Sequence, residues 1–302
     1  MKSPVGPIYS PNKLSFLIGF PRPRLEQIAE HADRFYRPFV REVPGKKPRK
    51  IDNPIPPLKD IQKAIYRSLL EGMRFPAFVK GGVPGCSSAQ NAAVHVGSRC
   101  VVTIDVADCY PSITNEMIFW VWHEVLGHSP TVSRMLTRLT TLHGHLPQGA
   151  PTSLALANLV LLPAMNRANQ RATKDGLKAG QYVDDIGLSG EFSDPAVLTE
   201  TCKDFSRIGL RVGRRKVRVM RAGGPQIVTG HTVNTKVGVQ KNKRSRIRAA
   251  VHSLRKQDAR SPEFQSDCLT IMGRVRWLAR YHPADAKELL KELSRIQQSS
   301  GG

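Results

Sequence analysis

Two adjacent aspartates, Asp184 and Asp185, lie between short runs of apolar residues and glycine, and this pair constrains the chain more than any other feature. The flanks, residues 181–183 and 186–188, predict a β-hairpin with the two carboxylates at its tip. A third carboxylate, Asp105, ends another apolar strand far upstream. Carboxylates that lie close together repel, which raises their pKa unless a cation neutralises them. Oxygen ligands gathered at strand ends suit Mg²⁺, so the sequence predicts a magnesium site.

The pattern Tyr-x-Asp-Asp at residues 182–185 is short, and two aspartates in a row are also common in ordinary turns. Three further segments strengthen the prediction. Residues 101–113 predict a β-branched strand that ends at Asp105 and is followed by a turn. Residues 146–153 form a Pro/Gly loop before an apolar helix, where backbone N–H groups can bind phosphate. Residues 48–54 predict a basic strand, and the set as a whole is the setting for two-metal nucleotidyl transfer.

In this order along the chain, the segments resemble the reverse transcriptase family over about residues 35–282. The Asp105 segment is similar to the family's first catalytic motif, the loop with Gln148 to its second, and the paired aspartates to its third. Residues 209–212 with Lys216 resemble the fourth, although the asparagine often found before that lysine is absent. The resemblance implies an α+β right-hand polymerase with fingers, a palm of antiparallel sheet plus helices, and a helical thumb.

Two more segments resemble one branch of that family. Residues 91–95 are similar to the Asn-Ala-x-x-His motif of bacterial retron reverse transcriptases, and residues 228–230 to their Val-Thr-Gly motif. The length also suits that group, which lacks the maturase and endonuclease extensions of group II intron enzymes. Taken alone, His95 could equally be a histidine packed on a helix, and residues 228–230 an ordinary strand end. Their joint presence favours the retron interpretation.

The resemblance implies a set of site residues. The expected catalytic residues are Asp105, Asp184 and Asp185, and the expected site for two Mg²⁺ ions consists of Asp105, Val106, Asp184 and Asp185. The residues expected to bind the deoxynucleoside triphosphate are Arg49, Lys47, Asp108, Tyr110, Gln148 and Lys216. The residues expected to bind RNA are Asn91, His95, Val228, Thr229, Gly230, Arg246 and Arg248.

Individual roles follow from side-chain chemistry. Arg49 would clamp the triphosphate, because a guanidinium matches phosphate oxygens. Tyr110 would stack under the deoxyribose and exclude a 2′-hydroxyl, unless it is simply a core tyrosine. Gln148 would hold the sugar side of the nucleotide. Lys216 could protonate the leaving pyrophosphate, and its alternative is a lysine on a solvated basic strand.

The charge balance agrees with a polyanionic partner. The chain has 46 Lys and Arg against 24 Asp and Glu, a net charge of +22, and a pI near 10.3. The excess is concentrated in residues 41–50, 211–221 and 236–260, and it predicts salt-dependent binding to phosphates. The resemblance implies the particular partners: a structured non-coding RNA that is both template and primer, the DNA product and its RNA–DNA hybrid, deoxynucleoside triphosphates, and an effector protein of a defence system.

Cysteine usage and hydropathy predict a cytoplasmic protein with no membrane partner, and the resemblance implies that its cell is bacterial. The five cysteines are odd in number and lack Cys-x-x-Cys spacing, which fits reduced thiols better than disulfides or a zinc site. The start of the chain is rich in proline and has no long apolar core of the kind found in a signal peptide. The longest apolar stretch, residues 154–165, is too short to span a bilayer and predicts a buried helix.

Three regions follow from this pattern: an N-terminal arm and fingers at residues 1–98, a palm at residues 99–232 with inserted finger helices at about 115–145, and a thumb at residues 233–302. A helix is predicted at residues 25–36. In the thumb, helices are predicted at 245–257, 264–281 and 284–297. The middle one has an apolar stripe at steps of three, formed by Leu269, Met272, Val275 and Leu278.

The combined prediction is an RNA-directed DNA polymerase of a bacterial retron. By resemblance, it makes short single-stranded DNA (msDNA) from a structured RNA, starts at an RNA 2′-hydroxyl, and acts in anti-phage defence. Two alternatives stay open. One is another bacterial reverse transcriptase, either an untemplated defence polymerase or an enzyme that diversifies genes. The other is a non-catalytic RNA-binding scaffold, which would have no need to keep three mutually repelling carboxylates.

Overall fold

The computed structural model describes residues 4–43, 45, 48–191, 196–213, 216–258 and 261–299. The α-helices in that part are α1 (Pro11–Ile18), α2 (Arg22–Glu30), α3 (Leu58–Ile65), α4 (Ser88–Ala93), α5 (Cys109–Ser112), α6 (Asn115–Trp120), α7 (Pro130–Thr140), α8 (Ser153–Lys174), α9 (Ala196–Arg207), α10 (Lys241–Leu254), α11 (Pro262–Ala279) and α12 (Pro283–Ser299). The strands are β1 (Tyr36–Arg41), β2 (Arg49–Pro54), β3 (Cys100–Asp105), β4 (Lys178–Tyr182), β5 (Asp185–Gly190), β6 (Arg218–Arg221), β7 (Ile227–Val228), β8 (His231–Thr232) and β9 (Gly238–Val239).

A four-stranded antiparallel sheet in the order β4-β5-β3-β6 lies at the centre of the predicted palm. The central strand β3 is rich in β-branched residues, which favour a β-strand. The predicted strand ending at Asp105 is confirmed as β3, and the predicted hairpin is confirmed as β4 and β5. Helix α8 packs on this sheet and is largely buried, as its apolar sequence predicts. Helices and an antiparallel sheet in one chain confirm the predicted α+β class.

One large hydrophobic core joins the N-terminal arm, the predicted fingers and the palm. The arm contributes α1, whose Leu14 and Ile18 are buried in this core. The helix predicted at residues 25–36 was wrong at its end: α2 stops at Glu30, a 3₁₀ turn follows, and Tyr36 begins β1. Residues 36–41 pair along their whole length with β2. Strand formation here depends on that partner, so the sequence of residues 36–41 alone is a weak guide to it.

The three helices predicted for the thumb are confirmed as α10 to α12, and they enclose a hydrophobic core of their own. The stripe predicted on α11 was wrong at one end, because Leu269 is 77% exposed. Steps of three fall 60° short of a full turn each time, so residues placed at such steps drift around the helix. The buried positions instead alternate steps of four and three, and they are Phe264, Cys268, Ile271, Val275 and Leu278.

A small three-stranded sheet, β7-β8-β9, connects the palm to the thumb. Thr229 and Gly230 form the two-residue turn between β7 and β8, and both have positive φ, as a type I′ hairpin requires. The predicted boundary between palm and thumb, after residue 232, falls between β8 and β9, and these two strands pair with each other. The boundary stays a prediction. Among the described helices, none is both long and apolar enough to cross a membrane.

Candidate active site

The three predicted catalytic aspartates meet at one end of the central sheet. Asp105 is the last residue of β3 and Asp185 the first of β5, and the two are direct partners in the antiparallel register. Asp184 occupies the turn before β5, and its carbonyl accepts a hydrogen bond from the Val106 N–H at 3.1 Å. The predicted metal-site residues therefore come together from two segments that are about 80 residues apart in sequence.

The turn that carries Asp184 is strained. Val183 has a φ of 59°, which is unfavourable for a β-branched residue. The segment around Gly81 lies directly against this turn, since a Cβ on Gly81 would sit 2.3 Å from the Val183 nitrogen. Lys80 and Gly81 also donate backbone hydrogen bonds to the Gln181 carbonyl. The surrounding chain therefore holds a conformation that the local sequence disfavours.

A buried polar network under the turn was missed by sequence reasoning. The Gln181 amide donates to the Asn158 side chain at 3.3 Å and to the Val183 carbonyl at 3.2 Å. The Asn158 amide in turn donates to the Gly81 carbonyl at 2.7 Å. Both side chains are fully buried, where hydrogen bonds between polar groups fix geometry. The available signal was the polar residue Asn158 inside the apolar helix α8.

The electrostatics of the paired aspartates favour the binding of a cation. Partial desolvation raises the pKa of Asp184, with a further contribution from the charge of Asp105. Asp185 is exposed towards the cleft, yet the protein around it and the charges of Asp184 and Asp105 raise its pKa to about 6. The basic side chains of Lys216 and Arg49 act in the opposite direction on both groups. Carboxylates held in this way gain from a bound metal ion.

Lys216 is brought to the aspartates by the segment that resembles the family's fourth motif. The Arg211 carbonyl accepts a hydrogen bond from the Ala107 N–H, and the Gly213 N–H donates to the Asp105 carbonyl. These backbone contacts place the Lys216 ammonium 2.6 Å from an Asp105 carboxylate oxygen. The hydrogen bond to Asp105 raises the pKa of Lys216, so the lysine stays protonated.

The acidic side chains at this site fit Mg²⁺ ions that are held partly by the protein and partly by the substrate. Within the described residues, no group of three histidine, cysteine or acidic side chains forms a metal cage from protein ligands alone. Mg²⁺ is commonly held by one or two carboxylates while phosphate oxygens and water complete its shell. An open set of acidic side chains beside a cleft matches that mode better than it matches a closed structural metal site.

A cleft beside the carboxylates contains the predicted nucleotide-binding residues Arg49, Tyr110 and Gln148. Gln148 lies in the loop before α8, and Asp52 fixes this loop to β2. The Asp52 N–H donates to the Gln148 carbonyl at 2.8 Å, while the Asp52 carboxylate accepts from the Gln148 N–H at 3.3 Å. Asp52 is almost fully buried and was missed by sequence reasoning, because its role depends on this distant loop.

Two other predicted nucleotide-binding residues differ in placement. Asp108 has a φ of 43° and stands just before α5, the short helix that carries Tyr110. It is exposed, and its charge acts on Lys216. Lys47 lies outside the described residues.

The predicted RNA-binding residues fall into three groups. Asn91, His95 and Val228 are buried, so their side chains form no part of an outer surface in this structure. The Thr229–Gly230 turn is accessible and lines a cleft that also contains Asp105, Asp185 and Lys216. On α10, Arg246 is exposed, while Arg248 is paired with Asp285 at 2.8 Å.

Comparison with known proteins defines the class. The family model described as Reverse transcriptase (RNA-dependent DNA polymerase) matches residues 43–265, well over half of the chain. The chain therefore belongs to the reverse transcriptase family, and it is an RNA-directed DNA polymerase.

Relatives narrow that class. The Retron Se72 reverse transcriptase of Salmonella heidelberg (strain 579083-10) is 29% identical over 303 residues, covering 96% of this chain and 80% of the relative. The Retron Mx65 reverse transcriptase of Myxococcus xanthus is 33% identical over 78% of this chain and 58% of its own length. The Retron Ec86 reverse transcriptase of Escherichia coli is 32% identical over 74% of this chain and 71% of its own length. The chain is thus a reverse transcriptase of the retron type.

Proposed function

We propose that this protein copies part of a structured non-coding RNA into msDNA by two-metal nucleotidyl transfer, starting from a 2′-hydroxyl of that RNA, and that the product serves anti-phage defence. The retron relatives support the choice of product. The observation that carries the chemistry is the meeting of Asp105, Asp184 and Asp185 at the end of the central sheet. None of the described cysteines forms a disulfide, which agrees with action in the bacterial cytoplasm.

The division of labour follows the predicted regions. Fingers (residues 1–98) supply Arg49, whose guanidinium lines the nucleotide cleft and offers paired donors to a triphosphate. The palm (residues 99–232) supplies the three aspartates. The thumb (residues 233–302) supplies the basic helix α10, which offers Arg246 to an RNA–DNA duplex.

Asp105, Asp184 and Asp185 would hold two Mg²⁺ ions, with Val106 supporting the site through the backbone. Such ions would lower the pKa of the attacking hydroxyl and stabilise the triphosphate and the leaving pyrophosphate. Gln148 and Tyr110 orient the deoxyribose in the cleft. Lys216 keeps a proton beside the carboxylates and delivers it to pyrophosphate. Its hydrogen bond to Asp105 raises the pKa of the lysine and keeps that proton in place.

The surface beside the Thr229–Gly230 turn determines which RNA the enzyme binds. This turn and the carboxylates line one cleft, so an RNA segment held by the turn reaches the reacting atoms directly. Recognition by shape and by 2′-hydroxyl contacts suits folded RNA, whose deep groove exposes little sequence. The partners are the RNA, the DNA product, the RNA–DNA hybrid, deoxynucleoside triphosphates and an effector protein.

Primer extension tests the chemistry. Asp184→Asn and Asp185→Asn each remove one negative charge at the site, so DNA synthesis should be lost while RNA affinity stays within about twofold. Asp175→Asn, an exposed change at the far end of α8, is the matched control and should extend normally. Near-normal extension by both site variants would overturn the catalytic assignment and favour a non-catalytic scaffold.

A cellular assay tests the retron product. Cells that express the protein with its neighbouring RNA locus should contain short single-stranded DNA joined to RNA, and the joint should resist ribonuclease and yield to a 2′–5′ debranching enzyme. Thr229→Ala should reduce this product more than it reduces extension of an ordinary annealed primer. DNA without an RNA branch would point to another bacterial reverse transcriptase, of the untemplated or gene-diversifying kind.

A further inference from the structure

His95, the last residue of the Asn-Ala-x-x-His segment, lies inside the protein against the β4–β5 hairpin. It has no exposed surface. Its ring faces Gly180 and Gly187, which are direct partners in the β4–β5 register. A Cβ on Gly187 would lie 2.6 Å from the His95 Nε2, and a Cβ on Gly180 would lie 2.8 Å from the same atom. The imidazole therefore occupies a gap that exists only because both partners are glycine.

The ring is also fixed in orientation. His95 Nδ1 shares a hydrogen bond of 2.8 Å with the hydroxyl of Ser189, which is itself fully buried. Burial and the charge of Lys178 lower the pKa of His95 to about 4, so the ring is neutral at pH 7. A neutral, enclosed ring suits packing, and neither direct contact with RNA nor proton transfer at the reaction centre is open to it.

The position of the ring relative to the carboxylates gives it a role. Side chains along a strand alternate between faces, so Asp185, Gly187 and Ser189 share one face of β5. His95 contacts that face at Gly187 and Ser189, two and four residues after Asp185. On the opposite face, Ile186 and Leu188 are buried in the main core. The hairpin that carries the paired aspartates is thus held between the core and the His95 imidazole, with the Asn91 side chain beside the ring at Gly180.

We propose that His95 is a positioning residue, which fills the Gly180–Gly187 gap and so sets the place of Asp184 and Asp185 at the hairpin tip. This inference rests on the proposed catalytic role of those aspartates. It also assigns the Asn-Ala-x-x-His segment to the catalytic hairpin. The Thr229–Gly230 turn instead contacts the first residue of α4, the helix that carries the start of this segment. There the Thr229 hydroxyl donates to the Ser88 carbonyl at 2.8 Å.

A reciprocal pair of substitutions tests the proposal. His95→Ala empties the gap, and the rate at saturating nucleotide should fall by about tenfold or more, with a higher Mg²⁺ requirement and an unchanged KM for nucleotide. Gly187→Ala alone should be at least as damaging, because its methyl meets the ring. In His95→Ala/Gly187→Ala the methyl meets no ring and partly fills the gap. The double variant should therefore exceed Gly187→Ala in rate, a positive coupling that a purely additive loss would not give.

The comparison of substrates separates positioning from RNA contact. His95→Ala should lose the same factor on an annealed primer and on the structured RNA, whereas a direct RNA contact would cause a selective loss on the structured RNA. His31→Ala, an exposed change, is the control. Should His95→Ala fail to fold, Ser189→Ala removes only the hydrogen bond and should lower both rates by about threefold to tenfold.

Two outcomes would overturn the inference. One is a selective loss on structured RNA, and the other is an additive double variant with an unchanged Mg²⁺ requirement. Either result, obtained while Asp185→Asn remains inactive, would remove His95 from the site and leave the proposed function intact. An active Asp185→Asn would instead remove the proposed function itself.

Discussion

The Lys216 ammonium lies 2.6 Å from a carboxylate oxygen of Asp105, so the lysine forms an ion pair with this proposed catalytic aspartate. A metal ion that binds Asp105 would have to displace this lysine or share the carboxylate with it. The same contact keeps the lysine protonated, because the hydrogen bond raises its pKa. We therefore expect metal binding and proton release to be coupled through this pair.

Removing the lysine should accordingly have two opposite effects. Lys216→Ala should strengthen Mg²⁺ binding to the nucleotide-free enzyme, since Asp105 loses its competitor, and should slow a single turnover by about tenfold to a hundredfold, since a proton donor is lost. Metal titration and single-turnover extension measure the two effects. Lys203→Ala, on the exposed side of α9, is the matched control. An unchanged turnover rate would support the alternative, that Lys216 is a solvated lysine with no role in proton transfer.

The raised pKa of Asp185, about 6 against 3.8 for an ordinary aspartate, predicts a pH-dependent metal requirement. Metal ligands must be deprotonated, so the Mg²⁺ concentration for half-maximal extension should rise as the pH falls through about 6. Asp184, whose pKa is also raised, acts in the same direction. The measurement is primer extension over a series of Mg²⁺ concentrations, repeated between pH 5.5 and 8 in steps of about half a pH unit. A requirement that is flat over the range would contradict it.

The same pKa shift has a consequence for stability. Between about pH 4 and 6 the folded protein binds more protons at Asp185 than the unfolded chain does, so the free energy of unfolding of the metal-free protein should decrease as the pH rises through this window. Asp185→Asn should remove that part of the dependence. Denaturant unfolding of both proteins in the presence of a chelator makes the measurement.

Tyr110 should govern the choice of sugar. It is half-buried beside Arg49 and Gln148 in the nucleotide cleft, where its ring can meet the 2′ position. Tyr110→Ala should lower discrimination against ribonucleotides by about tenfold or more, with a milder effect on deoxynucleotide incorporation than an aspartate change has. Tyr110→Phe keeps the ring and should keep the discrimination. An unchanged ratio in Tyr110→Ala would make it a core tyrosine.

Gly81 should be indispensable for the catalytic turn. A methyl at this position would meet the Val183 backbone, so Gly81→Ala should displace the turn and lower extension by about a hundredfold. Gly273→Ala is the matched control, because nothing lies within 4 Å of a Cβ there. In the middle of α11 that change should raise the free energy of unfolding by about 0.5–1 kcal/mol. Equal activity of the two variants would show that the turn tolerates the displacement.

The two arginines on α10 should differ in their effect on RNA binding. Arg246 is exposed, so Arg246→Ala should weaken RNA binding and reduce the slope of log K against log salt by about one. Arg248 is already paired with Asp285, so Arg248→Ala should change the slope less. Salt titrations of RNA affinity compare them, and equal slopes would mean that the ion pair opens on binding.

Much of the fold was predictable because its signals are local. A run of β-branched residues predicted β3, an apolar run predicted α8, and the paired aspartates with their flanking residues predicted the hairpin. The order of these segments along the chain was enough to bring Asp105 and Asp185 to one site. Periodicity alone was a weaker guide, since it put Leu269 on the buried face of α11 where the structure exposes it.

The sequence by itself therefore determined the class of enzyme and the identity of its carboxylates, since both depend on residue type and order. Only the tertiary structure decided that His95 fills a glycine gap, that Asp52 holds the Gln148 loop, and that Gln181 and Asn158 support a strained turn. Each of these roles depends on which distant segment covers a given face. A side chain's neighbours across the core are set by packing between elements, and no local pattern in the chain records them.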